Sequence, residues 1–385
     1  MPYFSFSLKK NFIEKNCFLS SKSQKLELNK VYFSKNTNLW KLLNKKKNFQ
    51  FLNFYKFEER IKLQSIGNNI LLCLPPSIGL GDAVEYGLAF KSIINSKKFK
   101  KIAIAFTGRY AEIFKKYFEC KIIYNDIIEE TELKKFDTIY HLTLEIDDLK
   151  FQQYIRSDIE NKITKIFYSK KIRKQNTNTK IKIKKITIFP ISRSPIRSMS
   201  VEVINALIQN FCKDYKINIV LDNSSSISKH IEKNILRKGY KTIHPKSLKS
   251  LCKIIKSTDF GVFMDSGPLH LAKIFGIRGL LIPTSVGGNV LLNKFNTIKT
   301  FNNIYESSYC KSPCGLTDIF NYNNNIGCYQ SLSVAKERLS RNNFNSLNRR
   351  NIDNKYLHYI INPVGCIKNI DLPSLIRIMK EGLDK

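Results

Sequence analysis

Short apolar runs that alternate with helical patterns restrict the fold of this 385-residue chain more than any other feature of its sequence. In the first half the helical segments, such as 81–96, separate the runs NILLCLP (69–75), KIAIAF (101–106), KIIYNDI (121–127) and DTIYHLTL (137–144). Alternating strands and helices predict βαβ units with a parallel sheet. Because most positions in these runs are apolar, the runs fit strands that are buried on both faces.

The same alternation resumes after a polar, basic stretch at 168–185, which we interpret as a linker. The second array starts at ITIFPIS (186–192) and is similar in size to the first. A chain of this length is expected to form two domains. We predict an α/β fold with two Rossmann-like domains whose parallel sheets face a central cleft. The predicted divisions are a basic extension (1–66), an N-terminal acceptor domain (67–180) and a C-terminal nucleotide-sugar-binding domain (181–385).

The formal net charge of +34 has two explanations. Nucleic acid or an anionic membrane surface would be attracted to so basic a protein. Alternatively, the base composition of the genome enriches lysine everywhere, and the scattering of the lysines favours this explanation. Within 1–66, Trp40 and Phe49 interleave with the lysines at 45–47, which suits a membrane interface. Packing of these aromatic residues on the first domain is the alternative that we favour.

Several sequence features bear on the location of the protein. The sequence contains no uninterrupted run of about 18 apolar residues, and its N-terminus is not typical of a signal peptide. Nine cysteines, an odd number spread widely, indicate reduced thiols rather than a disulfide framework. We expect a cytoplasmic protein, with peripheral contact at the inner face of the cytoplasmic membrane as a further hypothesis.

The segment FGVFMDSGPLHLAKIFG (260–276) places four polar or flexible residues between an apolar run and an amphipathic helix: Asp265, Ser266, Gly267 and His270. In open parallel sheets, ligands bind beyond the carboxyl ends of strands, where helix N-termini offer N–H groups and a positive dipole end. Gly267 permits close approach of a ligand to the backbone. The set predicts a phosphate or diphosphate site, whereas each residue alone fits an ordinary capped helix with a packing histidine.

A second strand-to-helix turn occurs in LPPSIGLGDAVEYG (74–87). Gly79 and Gly81 allow a tight loop, and Asp82 stands where the helix begins. A carboxylate at this place could accept a proton from an attacking hydroxyl group. An ordinary helix cap is the alternative.

A third candidate is the loop FPISRSPIRSMS (189–200), which again follows a strand. Ser192, Arg193 and Arg197 supply a hydroxyl and two cations that suit a diphosphate. A solvated basic loop is an equally weighted alternative in so basic a chain.

These stretches together resemble glycosyltransferase family 9, the family of ADP-heptose:lipopolysaccharide heptosyltransferases. The family has a Gly-Asp turn after its first strand, here Gly81 and Asp82, and a basic loop with small hydroxyl residues in its second domain, here 192–197. Its most specific signature is an Asp-Ser/Thr-Gly-x-x-His turn followed by a Leu-Ala-x-x-x-Gly helix, here 265–276. The resemblance covers about residues 69 to 300.

The resemblance implies a GT-B fold and an inverting transfer of a sugar from a nucleotide diphosphate donor. ADP is the favoured nucleotide, heptose a candidate sugar, and an envelope glycan or glycolipid such as lipopolysaccharide the acceptor. Asp82 would be the general base, while the turn at 265–270 and the loop at 192–197 would hold the donor diphosphate. Neither a metal nor another cofactor is implied. Helix N–H groups and a cation would stabilise the charge on the leaving diphosphate.

The chain departs from the family pattern in two places. The family has a lysine followed by tryptophan where this chain has Arg197 and Met199, and it often has a glutamate near the ribose where this chain has Asp222 and Asn223. Because Arg is a bidentate fork rather than a point charge, the diphosphate could be held differently. These departures leave the nucleotide and the sugar open.

Four cysteines, Cys310, Cys314, Cys328 and Cys366, could together hold zinc or iron. Their spacings lack the paired knuckles of common zinc sites. We favour free packing thiols and predict no metal.

Two other classes of function are consistent with the sequence. A nucleic-acid-binding protein would use the high charge, but no recognisable RNA- or DNA-binding module is present, and we predict no specific nucleic-acid partner. A non-catalytic relative would bind a sugar nucleotide for regulation. Replacing Asp82 with Asn separates this case from a transferase, because only a transferase would lose turnover.

Overall fold

The computed structural model describes two compact units. Unit 1 comprises Met1–Asp147 and Ile159–Lys171, and unit 2 comprises Asp148–Asp158 and Ile172–Lys385. The residues described are 3–9, 12–14, 24–28, 30–34, 41, 49–55, 67–75, 78–106, 110–121, 123–124, 127–142, 149–150, 153–167, 182–223, 225–307, 310–317, 361 and 365–384. Most of the predicted linker, residues 168–181, therefore lies outside them.

Unit 1 begins with strands and continues with alternating strands and helices. Its elements are β1 (Tyr3–Leu8), β2 (Phe12–Glu14), β3 (Gln24–Leu26), β4 (Val31–Ser34), β5 (Phe49–Tyr55), β6 (Asn69–Cys73), α1 (Leu80–Asn95), β7 (Lys101–Ala105), α2 (Ala111–Phe118), β8 (Ile123–Tyr124), β9 (Ile128–Glu129), α3 (Glu130–Leu133), β10 (Thr138–His141) and α4 (Ile159–Phe167).

Two sheets organise unit 1. The strands predicted from the apolar runs form a parallel sheet in the order β10-β6-β7-β8. Helix α1 packs on α2, where the hydrogen side of Gly87 meets the ring of Phe118 closely, and on α4. A second, antiparallel sheet has the order β5-β1-β4-β9. The sequence analysis predicts no strands within 1–66, because this sheet pairs segments that are distant in sequence rather than following a clear local period.

Unit 2 repeats the alternation over a longer stretch. Its elements are β11 (Leu149–Lys150), β12 (Gln153–Tyr154), β13 (Lys185–Phe189), a 3₁₀ turn (Pro195–Arg197), α5 (Val201–Phe211), β14 (Lys216–Val220), α6 (Ser226–Asn234), β15 (Lys241–Ile243), α7 (Leu248–Lys256), β16 (Phe260–Phe263), α8 (Gly267–Phe275), β17 (Gly279–Leu281), α9 (Gly288–Leu292), β18 (Ile298–Thr300), β19 (Tyr305–Glu306), β20 (Lys311–Ser312), α10 (Gly365–Lys368) and α11 (Leu372–Leu383).

The main sheet of unit 2 has six strands in the order β15-β14-β13-β16-β17-β18, and every pairing is parallel. Numbered along the unit, this order is 3-2-1-4-5-6, that of a doubly wound nucleotide-binding sheet. The strand order reverses between β13 and β16, which is where such sheets bind their ligands. The predicted α/β fold class with parallel sheets is confirmed. Among the described helices, none is long and apolar enough to cross a membrane.

Close packing brings β13 and β16 together at this reversal. The rings of Phe189 and Phe263 stack with centroids 5.1 Å apart and planes 7° apart. Gly261 and Gly279 make room beside Phe263, because a Cβ added to Gly279 would lie 2.2 Å from the carbonyl oxygen of Gly261 and 2.9 Å from the Phe263 ring. Glycine on β17 therefore sets the spacing of the strands that carry the loops described below.

We expect Gly279→Ala to lower the free energy of unfolding by about 3 kcal/mol, because its Cβ meets a backbone atom that cannot rotate away. Chemical denaturation of the full chain would measure this. Gly382→Ala is the matched control, since its Cβ would meet only the Phe260 ring at 3.2 Å and the substitution favours a helix. Equal stability of the two variants would contradict the packing constraint.

Candidate functional site

The loop after β13 is held by its own buried hydroxyl groups. Ser198 Oγ accepts a hydrogen bond from the Ser192 backbone N–H (3.0 Å) and donates to the Ser194 carbonyl (3.0 Å). Thr284, which follows β17, donates from Oγ1 to the Ile196 carbonyl (2.6 Å). The hydroxyls that the sequence spaces through SRSPIRSMS thus satisfy loop backbone groups that have no strand or helix partner.

Two contacts tie this loop to the turn after β16. Ser192 Oγ donates to the Asp265 carbonyl oxygen (2.8 Å). Arg197 Nη1 donates to Asp265 Oδ2 (3.0 Å), and the side chains of this ion pair are 14% and 2% exposed. The loop and the turn lie on the neighbouring strands β13 and β16, so the ion pair lies at the reversal of strand order.

The turn leads into the N-terminus of α8. Ser266 is the N-cap residue, but its side chain makes no capping hydrogen bond and instead donates from Oγ to the Met264 carbonyl (3.3 Å). Gly267 begins the helix, and Pro268 follows in its first turn. Because the Ser266 hydroxyl does not cap it, this helix end suits an anion bound by backbone N–H groups and the helix dipole.

His270 lies in the first turn of α8 and is 1% exposed. Its Nε2 is 3.2 Å from Arg156 Nη2 and 3.8 Å from Asp265 Oδ1. Its Nδ1 is 3.4 Å from Lys273 Nζ, which also donates to the Leu291 carbonyl (2.7 Å). The imidazole therefore lies between two cationic donors and one carboxylate.

The charges around His270 are unequal. Arg156, Arg197 and Lys273 bring positive charge, and Asp265 alone among the four brings negative charge. Burial raises the pKa of the Asp265 carboxyl, but the charge of Arg197, the hydrogen bond with His270 and the charge of Arg156 outweigh burial and hold that pKa well below its usual range. Asp265 is therefore ionised at neutral pH, and the cations still outnumber it.

The predicted residues of the second domain divide into a buried group and an exposed one. Ser192, Arg197, Asp265 and His270 contact one another in the network described above, with Ser266 and Gly267 in the same turn. The side chain of Arg193 is exposed. The loop therefore points one of its two predicted arginines into the site and the other toward solvent.

The predicted residues of the first domain lie at the carboxyl end of β6. Gly79 is the N-cap residue of α1, Gly81 lies in the first turn, and Asp82 Oδ2 accepts a hydrogen bond from the Gly79 backbone N–H (3.0 Å). Asp82 is half-buried. In unit 1, too, strand order reverses beside this turn, between β6 and β10. Asp82 thus has the structural role of a helix cap, which leaves its second carboxylate oxygen for other contacts.

Two residues of the site are absent from the predictions. Lys273 could have been noticed from the sequence, because it follows His270 by one helical turn and interrupts an apolar helix. Arg156 has no such signal, since it enters unit 2 by long-range pairing: its N–H donates to the Gly315 carbonyl (2.7 Å), and Ile155 bridges to Leu316. Distance along the chain conceals the second residue but not the first.

The acidic residue considered for the nucleotide ribose makes local contacts. Asp222 Oδ1 accepts from the Ser225 backbone N–H (2.6 Å), and Oδ2 accepts from Ser225 Oγ (2.8 Å). Ser225 in turn caps α6. A ribose that bound Asp222 would have to share these oxygens with the cap.

The cysteines near the C-terminus are free where they are described. Cys310, Cys314 and Cys366 are thiols, and Cys328 lies outside the described residues. Burial raises the pKa of Cys310, and the neighbouring Cys314 raises it further, so the Cys310 thiol is protonated at neutral pH. In the part of the chain that the structure describes, no three His, Cys, Asp or Glu side chains are grouped as a metal site would require.

No protein-family profile matches the sequence, and no curated protein matches it. Among solved structures, the chain is similar to the ADP-heptose LPS heptosyltransferase II of E. coli, with 10% identity over 60% of this chain and 90% of that chain and a TM-score of 0.44. It is similar to the glycosyl transferase family 9 protein of Veillonella parvula, with 10% identity over 61% and 86% and a TM-score of 0.43. It is also similar to the iron-containing dodecameric glycosyltransferase TibC of enterotoxigenic E. coli, with 12% identity over 99% and 92% and a TM-score of 0.44.

We expect Asp265→Asn to lower the free energy of unfolding at pH 7 by about 3 kcal/mol, because it leaves the mostly buried Arg197 guanidinium without its carboxylate. The effect depends on pH. Folding lowers the pKa of Asp265 below the value of about 3.9 in an unfolded chain, so the unfolded state binds more protons between these two values. The stabilisation is complete at neutral pH and is lost as the pH falls below about 4.

Denaturant titrations of wild type and Asp265→Asn across the acid range would measure this difference. Arg197→Met is the matched test of its cause, because removing the guanidinium also removes the main attraction that lowers the pKa. A difference between wild type and Asp265→Asn that stays constant from pH 7 into the acid range would contradict the assignment.

Proposed function

We propose that this chain is an inverting glycosyltransferase that needs no metal and moves a sugar from a nucleotide diphosphate donor to a cell-envelope glycan or glycolipid. The observation that carries the proposal is the buried excess of cations at the N-terminus of α8, at the reversal of strand order in a six-stranded parallel sheet. A diphosphate carries the charge that such a site lacks. The sequence resemblance to glycosyltransferase family 9 supports the choice of reaction.

Unsatisfied polar atoms support a ligand at this place. Arg197 Nε is buried and has no hydrogen-bond partner in the described part of the structure, although Nη1 of the same side chain binds Asp265. Ser285 Oγ, which follows β17 on the adjacent strand, is likewise buried without a partner there. Buried donors without partners are costly, and a bound anion would satisfy the guanidinium.

The proposed chemistry follows from these charges. As the bond between the sugar and the diphosphate breaks, negative charge gathers on the leaving oxygen. Arg197, Arg156 and the N–H groups of Gly267 and the following turn are placed to stabilise it, which in this proposal replaces a divalent cation. Asp265 would orient Arg197 rather than contact the anion, because two negative groups repel.

We propose Asp82 as the general base, which takes the proton of the acceptor hydroxyl as that oxygen attacks the anomeric carbon. Its half-buried carboxylate and its place at a strand-order reversal support the role. The domain divisions at 66 and 180, a cytoplasmic location and peripheral contact with an anionic membrane belong to the same proposal. ADP is the favoured nucleotide, and heptose a candidate sugar.

The first test is titration calorimetry of the full chain against ADP, UDP, GDP and CDP at two salt concentrations. We expect one saturable site with a preference for ADP that persists at high salt, because buried charges are screened little. Preference for another diphosphate would keep the transferase and replace the donor. Weak binding that salt abolishes equally for all four would contradict the donor site and favour attraction by the overall charge.

We expect Arg156→Met to weaken ADP binding by about tenfold to a hundredfold, because a charge-assisted hydrogen bond to a phosphate oxygen is lost. Arg237→Met, at an exposed position of unit 2, is the control and should change the affinity by no more than about twofold. Calorimetry at constant salt measures both. Equal losses would indicate that only the total charge matters.

We expect Asp82→Asn to lower turnover with ADP-heptose and a heptose-deficient lipopolysaccharide acceptor by on the order of a hundredfold or more, while ADP affinity stays unchanged. The amide oxygen of Asn can still accept from the Gly79 N–H, so α1 stays capped. Asp137→Asn is the matched control, because Asp137 Oδ2 makes the same kind of contact with the Asn69 N–H (2.8 Å) before β10 begins, at the opposite end of the sheet. Normal turnover in Asp82→Asn would favour a non-catalytic protein.

A further inference from the structure

A buried lysine beside His270 has no explanation in a purely apolar helix. Lys273 is 3% exposed and lies on α8 between Leu269, Leu271 and Ala272, which are buried. Its Nζ donates to the Leu291 carbonyl (2.7 Å), lies 3.4 Å from His270 Nδ1 and lies 5.1 Å from the centre of the Phe295 ring. Burying an ammonium group is costly, so this residue is expected to have a specific role.

The proton of a neutral imidazole sits on one nitrogen, and the neighbours of each nitrogen decide which. An ammonium group only donates, so Lys273 needs Nδ1 as an acceptor and repels a proton there. On the other side, Nε2 faces both the Arg156 guanidinium (3.2 Å) and the Asp265 carboxylate (3.8 Å), whose charges oppose each other. The balance of charge therefore favours the tautomer with the proton on Nε2.

We propose that Lys273 is a positioning residue that holds the proton of His270 on Nε2, so that this N–H, beside Arg156, donates to the leaving diphosphate. The inference rests on the proposed function for the identity of the anion. Lys273 does not touch the donor but acts through the imidazole. Without it, the proton would also occupy Nδ1, and Nε2 would then present a lone pair to a phosphate oxygen, which repels it.

The tautomer is measurable in the wild-type protein alone. Long-range ¹⁵N–¹H correlation spectra of ¹⁵N-histidine-labelled protein distinguish the two neutral tautomers, and His270→Gln identifies the signal among the five histidines. We expect the proton on Nε2. A signal from the Nδ1–H tautomer, or from a doubly protonated ring at neutral pH, would overturn the proposal.

Variants separate positioning from a structural role. In Lys273→Met we expect mixed tautomers and a fall in kcat of about tenfold to a hundredfold, with the affinity for ADP changed by less than about threefold. Lys273→Arg, which also only donates, should restore the tautomer and most of the turnover. Lys294→Met is the matched control, because Lys294 is also buried and lies over the same Phe295 ring (5.5 Å); we expect it to leave the tautomer unchanged.

Two results have distinct meanings. If Lys273→Met lowers kcat while the proton stays on Nε2, Lys273 serves only to join α8 to Leu291, and the proposal is wrong. If wild type binds no nucleoside diphosphate but its tautomer still depends on Lys273, the proposed function fails while control of the imidazole by Lys273 is supported.

Discussion

The ion pair between Arg197 and Asp265 joins the two loops on which the candidate site depends. It links the chain after β13 to the chain after β16, where the order of the six parallel strands reverses. An ion pair this buried does not guarantee net stability, because removing two charges from water costs about as much as their attraction returns. Its value is geometric: a fork-shaped guanidinium fixes the direction of the Asp265 carboxylate, and its remaining N–H groups keep a defined direction toward the site.

The strand packing beneath makes this pair geometrically feasible. Gly279 and Gly261 let β16 and β17 approach closely, and the stacked rings of Phe189 and Phe263 fill the space near the ends of β13 and β16. Side chains on the loops can then be short. Ser192 reaches the Asp265 carbonyl with a single hydroxyl, which a wider spacing of the strands would not allow. Apolar packing and polar chemistry thus depend on the same interstrand distance.

The parts of the site that the sequence predicts are those encoded in one contiguous stretch. Asp265, Ser266, Gly267 and His270 lie within six positions, and the apolar run before them marks the carboxyl end of a strand. Arg156 belongs to the other kind, since only pairing across 159 residues with Gly315 brings it to His270. The same reason explains the antiparallel sheet of unit 1, in which β4 pairs with β9 nearly a hundred residues later. Local periodicity contains no information about such contacts.

The overall charge and the site have different physical consequences. Most of the charge of +34 comes from side chains scattered along the chain, and salt at physiological strength screens exposed charges beyond about 8 Å. Such charges attract any polyanion and speed its approach, but they do not choose among anions. The cations around His270 are surrounded by protein rather than water, so their field is weakened less and acts over a few ångströms in fixed directions. Selection of a diphosphate over other anions would therefore depend on these few buried or half-buried groups, whatever the rest of the surface attracts.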